Sequence, residues 1–155
     1  MLYFAYGSNL DWVQMKNRCP SAQFVGMALL KDYDFDFTRK SKNRGCGVMD
    51  IVKVDGEQVW GVVYQIEELD IEKLDQSEGY APGRAKNAYQ RIECIVYEDG
   101  DLEKPITTMT YEVVAKAATT ILPNQEYKAL IVNGAGYWRL PDDYINRLRL
   151  IETID

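Results

Sequence analysis

The stretch "LYFAYGSNLDWV", Leu2 to Val13, sets the reading of the whole chain. Leu2 to Tyr6 is apolar and aromatic on both faces, the pattern of a short strand buried on both sides. Gly7-Ser8-Asn9 breaks the run. A helix is predicted from Asn9 to about Arg18, with Asn9 as its N-cap, Asp11 in its first turn and Pro20 as its stop. Gly7 carries no Cβ, so a ligand can come close to the backbone there. The first N–H groups of a helix have no internal partner and point outward. With the helix dipole they suit an anion or an oxyanion, and the Ser8 hydroxyl and Asn9 amide add polar contacts. The same three residues read equally as a capped turn that serves only its own backbone. The stretch lacks the Gly-Lys-Ser/Thr ending of a phosphate-binding loop and is no G-x-G-x-x-G fingerprint. Ser8 has no His partner and no Ser-x-x-Lys pattern, which makes it a poor nucleophile.

Outward from this stretch, Phe24 to Thr38 is β-rich, with Tyr33, Phe35 and Phe37 on one face. "CGVMDIVKVDGEQVWGVVYQI" reads as a hairpin turning at Asp55-Gly56. A short helix over Leu69 to Asp75, with Leu69, Ile71 and Leu74 as its apolar residues, ends near Ser77-Glu78-Gly79, where Gly79 suits a C-terminal cap. Tyr89 to Tyr97 and Ile106 to Val114 form a strand pair around a turn at Glu98 to Asp101. Gln125 to Ile131 is helical, opened by Pro123-Asn124. After Pro141 a last helix puts Tyr144, Leu148 and Ile151 on one face, with Ile145 beside them. The expected fold class is α+β: a small curved antiparallel or mixed β-barrel flanked by helices, in one domain spanning residues 1–155.

Composition narrows the chemistry. A formal charge of −6 argues against a nucleic acid or an anionic membrane as partner. No apolar run approaches the ~18 residues of a membrane span. The N-terminus lacks a signal-peptide pattern, and three widely spaced cysteines, Cys19, Cys46 and Cys94, read as free thiols, so a cytoplasmic setting is expected. There is no histidine and no C-x-x-C pair, which disfavours a zinc site and any His-based nucleophilic pair. Acid–base work then falls to carboxylates, Lys, Tyr, Cys or the backbone.

Two further stretches carry chemistry. In "KLDQSEGYAPGRAKNAY", Glu78 stands at a helix end beside a Gly-Tyr-Ala-Pro-Gly loop. Burial there would raise its pKa toward neutrality and make it a usable general base. Taken alone it is one of 24 acidic residues and reads as solvated. Asp75 is the other acid of the stretch and suits a cap or the solvent equally. In "LPNQEYKALIV", Tyr127 falls in the first helical turn; core packing is its commoner role, a ligand contact the rarer one.

These three stretches, in this order, resemble the γ-glutamylcyclotransferase family. "LYFAYGSNL" is similar to its N-terminal signature, "VWGVVYQI" to its central strand and "LDQSEGY" to the segment with its catalytic glutamate. "PNQEYKALIVNGA" and "LPDDYINRLRLIE" are similar to its C-terminal helices, so the resemblance covers nearly the whole chain. It implies a mixed β-barrel with flanking helices, and a lyase reaction in which the substrate's own α-amine attacks its γ-glutamyl amide to give 5-oxoproline and a free amine. Glu78 matches the family's acid–base residue. Tyr3, Phe4, Ala5, Tyr6, Gly7 and Ser8, with Asn9 beside them, match the cradle for the γ-glutamyl part, and Tyr127 matches a substrate-contacting tyrosine. No metal or organic cofactor is implied. The implied partner is a small γ-glutamyl substrate, and because family members are often dimers a homodimer stays open. Some relatives carry a tyrosine soon after the glutamate; here Tyr89 lies eleven residues on and Tyr80 competes for that role. The resemblance leaves three readings: a γ-glutamyl-amino acid cyclotransferase, a γ-glutamylamine cyclotransferase or biosynthetic deprotecting enzyme, and a non-catalytic γ-glutamyl metabolite-binding protein.

Overall fold

The computed structural model describes residues 1–155 and closes five strands into a barrel. The strands are β1 (Leu2–Ala5), β2 (Gln23–Ser41), β3 (Cys46–Gln65), β4 (Tyr89–Glu98) and β5 (Pro105–Val113). The helices are α1 (Trp12–Arg18), α2 (Glu68–Ser77), α3 (Gln125–Tyr137) and α4 (Asp142–Arg149), and Ser8–Leu10 forms a single 3-10 turn. Around the barrel the order is β1-β3-β2-β4-β5. Every neighbouring pair is antiparallel except β5 and β1, which run parallel with Tyr3 opposite Met109. The mixed barrel with flanking helices is therefore the fold expected from the sequence. No helix is long and apolar enough to cross a membrane.

One expected element is different. Asp55-Gly56 is not a hairpin turn, because the two halves of Cys46–Gln65 do not pair with each other. Both pair with β2, from Gln23 opposite Gln65 to Ser41 opposite Cys46. The real hairpin turns at 42–45, where Gly45 takes a positive φ of 68°. Asp-Gly instead makes a bulge: the register slips between Lys31 and Tyr33. There Asp32 adopts φ 63°, Gly56 adopts φ 86°, and the Asp32 carboxylate accepts the Gly56 N–H at 3.0 Å. Turn chemistry and bulge chemistry use the same residues, because both need φ > 0. A 20-residue strand that bends at this bulge can wrap a small barrel; a straight one could not.

Smaller differences have local causes. Asn9 does not cap α1: the Asp11 carboxylate does, accepting the Gln14 N–H at 2.8 Å, and Asn9 is buried in the 3-10 turn. Leu69 is exposed while Ile71 and Leu74 are buried, since a residue two before Ile71 falls on the other side of α2. α3 continues past Ile131 to Tyr137 through Gly134 and Gly136. Asn124 caps it through its side chain, 2.8 Å from the Tyr127 N–H. α4 buries Tyr144, Ile145 and Leu148 of the expected stripe, while Ile151 lies past its end and is only partly buried.

The C-terminal ends of β1, β2 and β5 and the N-terminal ends of β3 and β4 share one end of the barrel, by the pairing directions. The Gly7–Leu10 turn, the β2–β3 turn and the end of α2 gather there. α3 fixes the first of these from behind. A Cβ on Gly134 would lie 2.4 Å from the Leu10 carbonyl carbon, and Trp138 donates its indole N–H to the Leu10 carbonyl at 3.0 Å. Gly136, in the same helix, has nothing within 4 Å of such a Cβ. Urea denaturation should therefore separate two Gly→Ala changes in one helix. Gly134→Ala is expected to lose about 1–3 kcal/mol by overpacking, and Gly136→Ala to gain about 0.5–1 kcal/mol through helix propensity. Equal effects would show that α3 does not press on the turn.

Candidate active site

A cavity of about 320 Å³ opens at this end of the barrel. Its floor holds Tyr3, Tyr6, Gly7 and Tyr127, and Glu78 is the single carboxylate on its wall. Glu78 owes its position to the way α2 stops. Gly79 takes φ 62°, its N–H bonds to the Gln76 carbonyl at 3.2 Å, and the Tyr80 N–H reaches the Asp75 carbonyl at 2.9 Å. This is a Schellman ending, with Gly79 in the left-handed position expected of it. Glu78 is thereby the C-cap residue, turned off the helix and into the cavity.

The Glu78 carboxylate is loosely held. Arg18 approaches its Oε1 only to 4.0 Å, and the Asn9 amide donates to it at a long 3.5 Å. Burial raises its pKa above the usual 4.5, against the pull of Arg18 and then Arg44. Asp75, three residues earlier, shows the opposite condition. Arg91 grips it at 3.0 and 2.6 Å and the Tyr111 hydroxyl donates to it as well. Both its oxygens are engaged, so Asp75 is the structural acid of the pair and Glu78 the available one.

The turn beside Glu78 is held by side chains rather than by a cap. The Asn9 amide nitrogen donates to the Tyr3 hydroxyl at 3.0 Å. Its carbonyl accepts from Arg18 at 2.9 Å and from Gln14 at 3.0 Å, and Gln14 also donates to the Ser8 hydroxyl at 2.8 Å. Arg44, from the β2–β3 turn, donates to the Gln14 carbonyl at 2.8 Å. The Tyr127 hydroxyl accepts the Met49 N–H at 2.9 Å, and a Cβ on Gly7 would meet that hydroxyl at 3.6 Å. Burial, opposed by the bonds from Met49 and Ser8, pushes the Tyr127 phenol up to about 12, so it stays protonated near neutrality. The Gly7 N–H donates to no other group of the protein, which leaves it free for a ligand oxygen.

The residues singled out in the sequence divide cleanly. Glu78, Tyr3, Tyr6, Gly7, Ser8, Asn9 and Tyr127 line the cavity. Phe4 and Ala5 do not; both are fully buried in the barrel, where the Phe4 carbonyl accepts the Thr110 hydroxyl at 2.7 Å. Alternation along β1 sends Phe4 away from the side that carries Tyr3, and Ala5 is too short to reach in. Tyr89 lines the cavity. Tyr80 lies outside it, under the Arg91 guanidinium at 5.0 Å. Sequence reasoning passed over Gln14, Arg18, Arg39 and Arg44. The i, i+4 spacing of Gln14 and Arg18 on α1 was a usable signal; nothing local announces Arg39 or Arg44, which arrive through the β2–β3 pairing. No group of three or more His, Cys, Asp or Glu side chains comes together to hold a metal.

The sequence model of the AIG2-like family matches residues 58–148. γ-Glutamylcyclotransferase of Bos taurus is 35% identical over 99% of this chain and 80% of its own length. That of Homo sapiens is 34% identical over the same shares. A solved γ-glutamyl cyclotransferase superposes with a TM-score of 0.89 at 33% identity, covering all of this chain and 89% of the other. The chain belongs to the AIG2-like, γ-glutamylcyclotransferase family.

Because burial raises the Glu78 value, between its ordinary value and the raised one the folded protein holds a proton there that the unfolded chain has lost. The contribution of Glu78 to stability is fullest below its ordinary value and falls as pH rises through the raised one. Glu78→Gln is neutral throughout and escapes that loss. Its melting temperature should exceed that of wild type at neutral pH by about 2 °C or more, and the gap should close below about pH 4. A variant less stable than wild type at neutral pH would mean that Arg18 and Arg44 outweigh the burial.

Proposed function

We propose that this protein is a γ-glutamylcyclotransferase that closes a γ-glutamyl-amino acid to 5-oxoproline with release of the amino acid. The observation that carries the reading is Glu78: a loosely partnered carboxylate, raised by burial, on the wall of a cavity also lined by Gly7, whose N–H has no partner within the protein. Membership of a family whose relatives bear this name supports it.

The chemistry follows from those groups. The substrate's α-amine, with an ordinary pKa of about 7.7–8.0 or above, must lose a proton to become a nucleophile. The bound ammonium gives its first proton to solvent, and Glu78 accepts the second as the amine nitrogen bonds to the γ-carbonyl carbon. The carbonyl oxygen becomes an oxyanion, within reach of the Gly7 N–H and the protonated Tyr127 hydroxyl. The bond to the leaving nitrogen then breaks, and Glu78 returns the proton to that nitrogen. No water is consumed. Attack within one molecule makes positioning the main task, and the Tyr3–Asn9 floor holds the glutamyl part in its folded conformer. Raising the Glu78 value brings it closer to that of the amine, so the proton transfer is less uphill than to an ordinary carboxylate.

Incubation with γ-glutamyl-alanine should release 5-oxoproline and alanine in equal amounts. Glu78→Gln should lower kcat by at least about 10²-fold while binding the substrate within about tenfold of wild type. Turnover preserved in the variant would remove Glu78 from the chemistry. Binding without turnover in both proteins would assign the cavity to a γ-glutamyl-binding protein instead.

A further inference from the structure

The cavity is strongly cationic in a protein that is not. Against 24 acidic and 18 basic residues overall, Arg18, Arg39, Lys42 and Arg44 line the cavity and Glu78 is its only carboxylate. Elsewhere Arg91 pairs with Asp75, Lys116 with Asp50 and Arg147 with Asp34, and the partly buried Lys16 and Lys128, without a carboxylate, donate to backbone carbonyls. Arg39, Lys42 and Arg44 form no ion pair. Arg44 spends one donor on Gln14 and lies over the Tyr127 ring at 4.9 Å. Arg39 is half-buried, yet neither it nor Lys42 has a hydrogen-bond acceptor for its side chain within the protein. A chain with acids to spare has left three cations unmatched around one cavity, and low-dielectric walls focus such a charge onto whatever enters.

Position adds direction. All three come from the β2–β3 hairpin, at the end of β2 and in the turn, with Lys42 exposed at the mouth. The γ-glutamyl part, on the reading above, sits on the buried floor against Tyr3, Tyr6 and Gly7. The part that departs must face the mouth through which it leaves. We propose that Arg39, Lys42 and Arg44 are specificity residues that read carboxylates on the departing part. The favoured substrates are then γ-glutamyl compounds whose leaving residue is itself acidic, ahead of neutral amino acids, with amide-capped leaving groups last. This rests on the cyclotransferase reading. Two unbonded cations can take the two carboxylates of an acidic leaving residue, and Arg44 keeps the rim joined to Gln14 and Ser8.

The test compares γ-glutamyl-glutamate, γ-glutamyl-alanine and γ-glutamyl-alaninamide. Values of kcat/KM for 5-oxoproline release are measured in wild type, Arg39→Gln, Lys42→Gln and Lys40→Gln. Lys40 is an exposed cation of the same strand outside the cavity. Each carboxylate removed is expected to cost wild type roughly tenfold. Arg39→Gln and Lys42→Gln should flatten the ratio between acidic and amidated substrates toward one, and Lys40→Gln should keep it. Calorimetric binding of the three compounds to the Glu78→Gln protein, with and without Arg39→Gln, runs alongside. Turnover of all three at similar rates, with ratios unmoved in the rim variants, overturns the proposal and leaves the cyclotransferase reading standing. No turnover, but an Arg39-dependent preference in binding, upholds the rim and overturns the reaction. Neither turnover nor preference overturns both.

Discussion

Everything at the cavity end of this molecule depends on how four residues close the barrel. β1 lies between β3 and β5, antiparallel to one and parallel to the other. Phe4 and Ala5 are fully buried, and Tyr3 nearly so. A strand that has neighbours on both sides and apolar contacts on both faces cannot slip by a residue without driving Tyr3, Phe4 and Ala5 into space packed for the opposite face. The point at which the chain leaves it, Tyr6-Gly7-Ser8, is therefore fixed to the frame. α3 then presses on the turn from behind, through Gly134 and Trp138 against Leu10. The flexible-looking Gly-Ser-Asn is among the most constrained parts of the protein.

On that frame the protein treats its buried acids in two ways. Asp50 accepts from the Thr38 hydroxyl, the Val113 N–H and Lys116, and Asp75 from Arg91 and Tyr111. Both are saturated, as a buried charge must be if it only supports the fold. Glu78 has one arginine at 4.0 Å and one long amide contact. The cations that could have neutralised it are directed elsewhere: Arg18 to the Asn9 carbonyl, Arg44 to Gln14. This arrangement leaves a carboxylate whose proton can move, at some loss to the folded state, and such losses are characteristic of sites that do chemistry.

Much of this was legible in the chain. The buried first strand, the capping glycine after Glu78, the helix start at Pro123-Asn124 and the amphipathic last helix all follow from local rules, and the structure contains each. The Asp55-Gly56 bulge was misread because the φ > 0 signal does not say whether the chain reverses or merely bends. Only pairing partners decide that, and they lie far away in sequence. The site divides along the same line. Glu78, Gly7 and Tyr127 sit in short stretches with their own signatures. Arg39 and Arg44 reach the cavity through the β2–β3 pairing, and Tyr89 is chosen over Tyr80 by the strand it begins. Phe4 and Ala5 share a motif with the cavity residues and yet belong to the core, Phe4 because adjacent strand residues face opposite ways and Ala5 because its side chain is a single methyl.

Under the proposed function Glu78 is a poised base and not a structural anion. Carbon-detected NMR of the glutamate side-chain carboxyls, titrated with acid and with Glu78→Gln used for assignment, reads that condition directly. The account requires the Glu78 resonance to titrate with a midpoint above the ordinary 4.5 for a glutamate. A midpoint at or below that value would make Glu78 a stabilised ion-pair partner of Arg18, and the site would need another base.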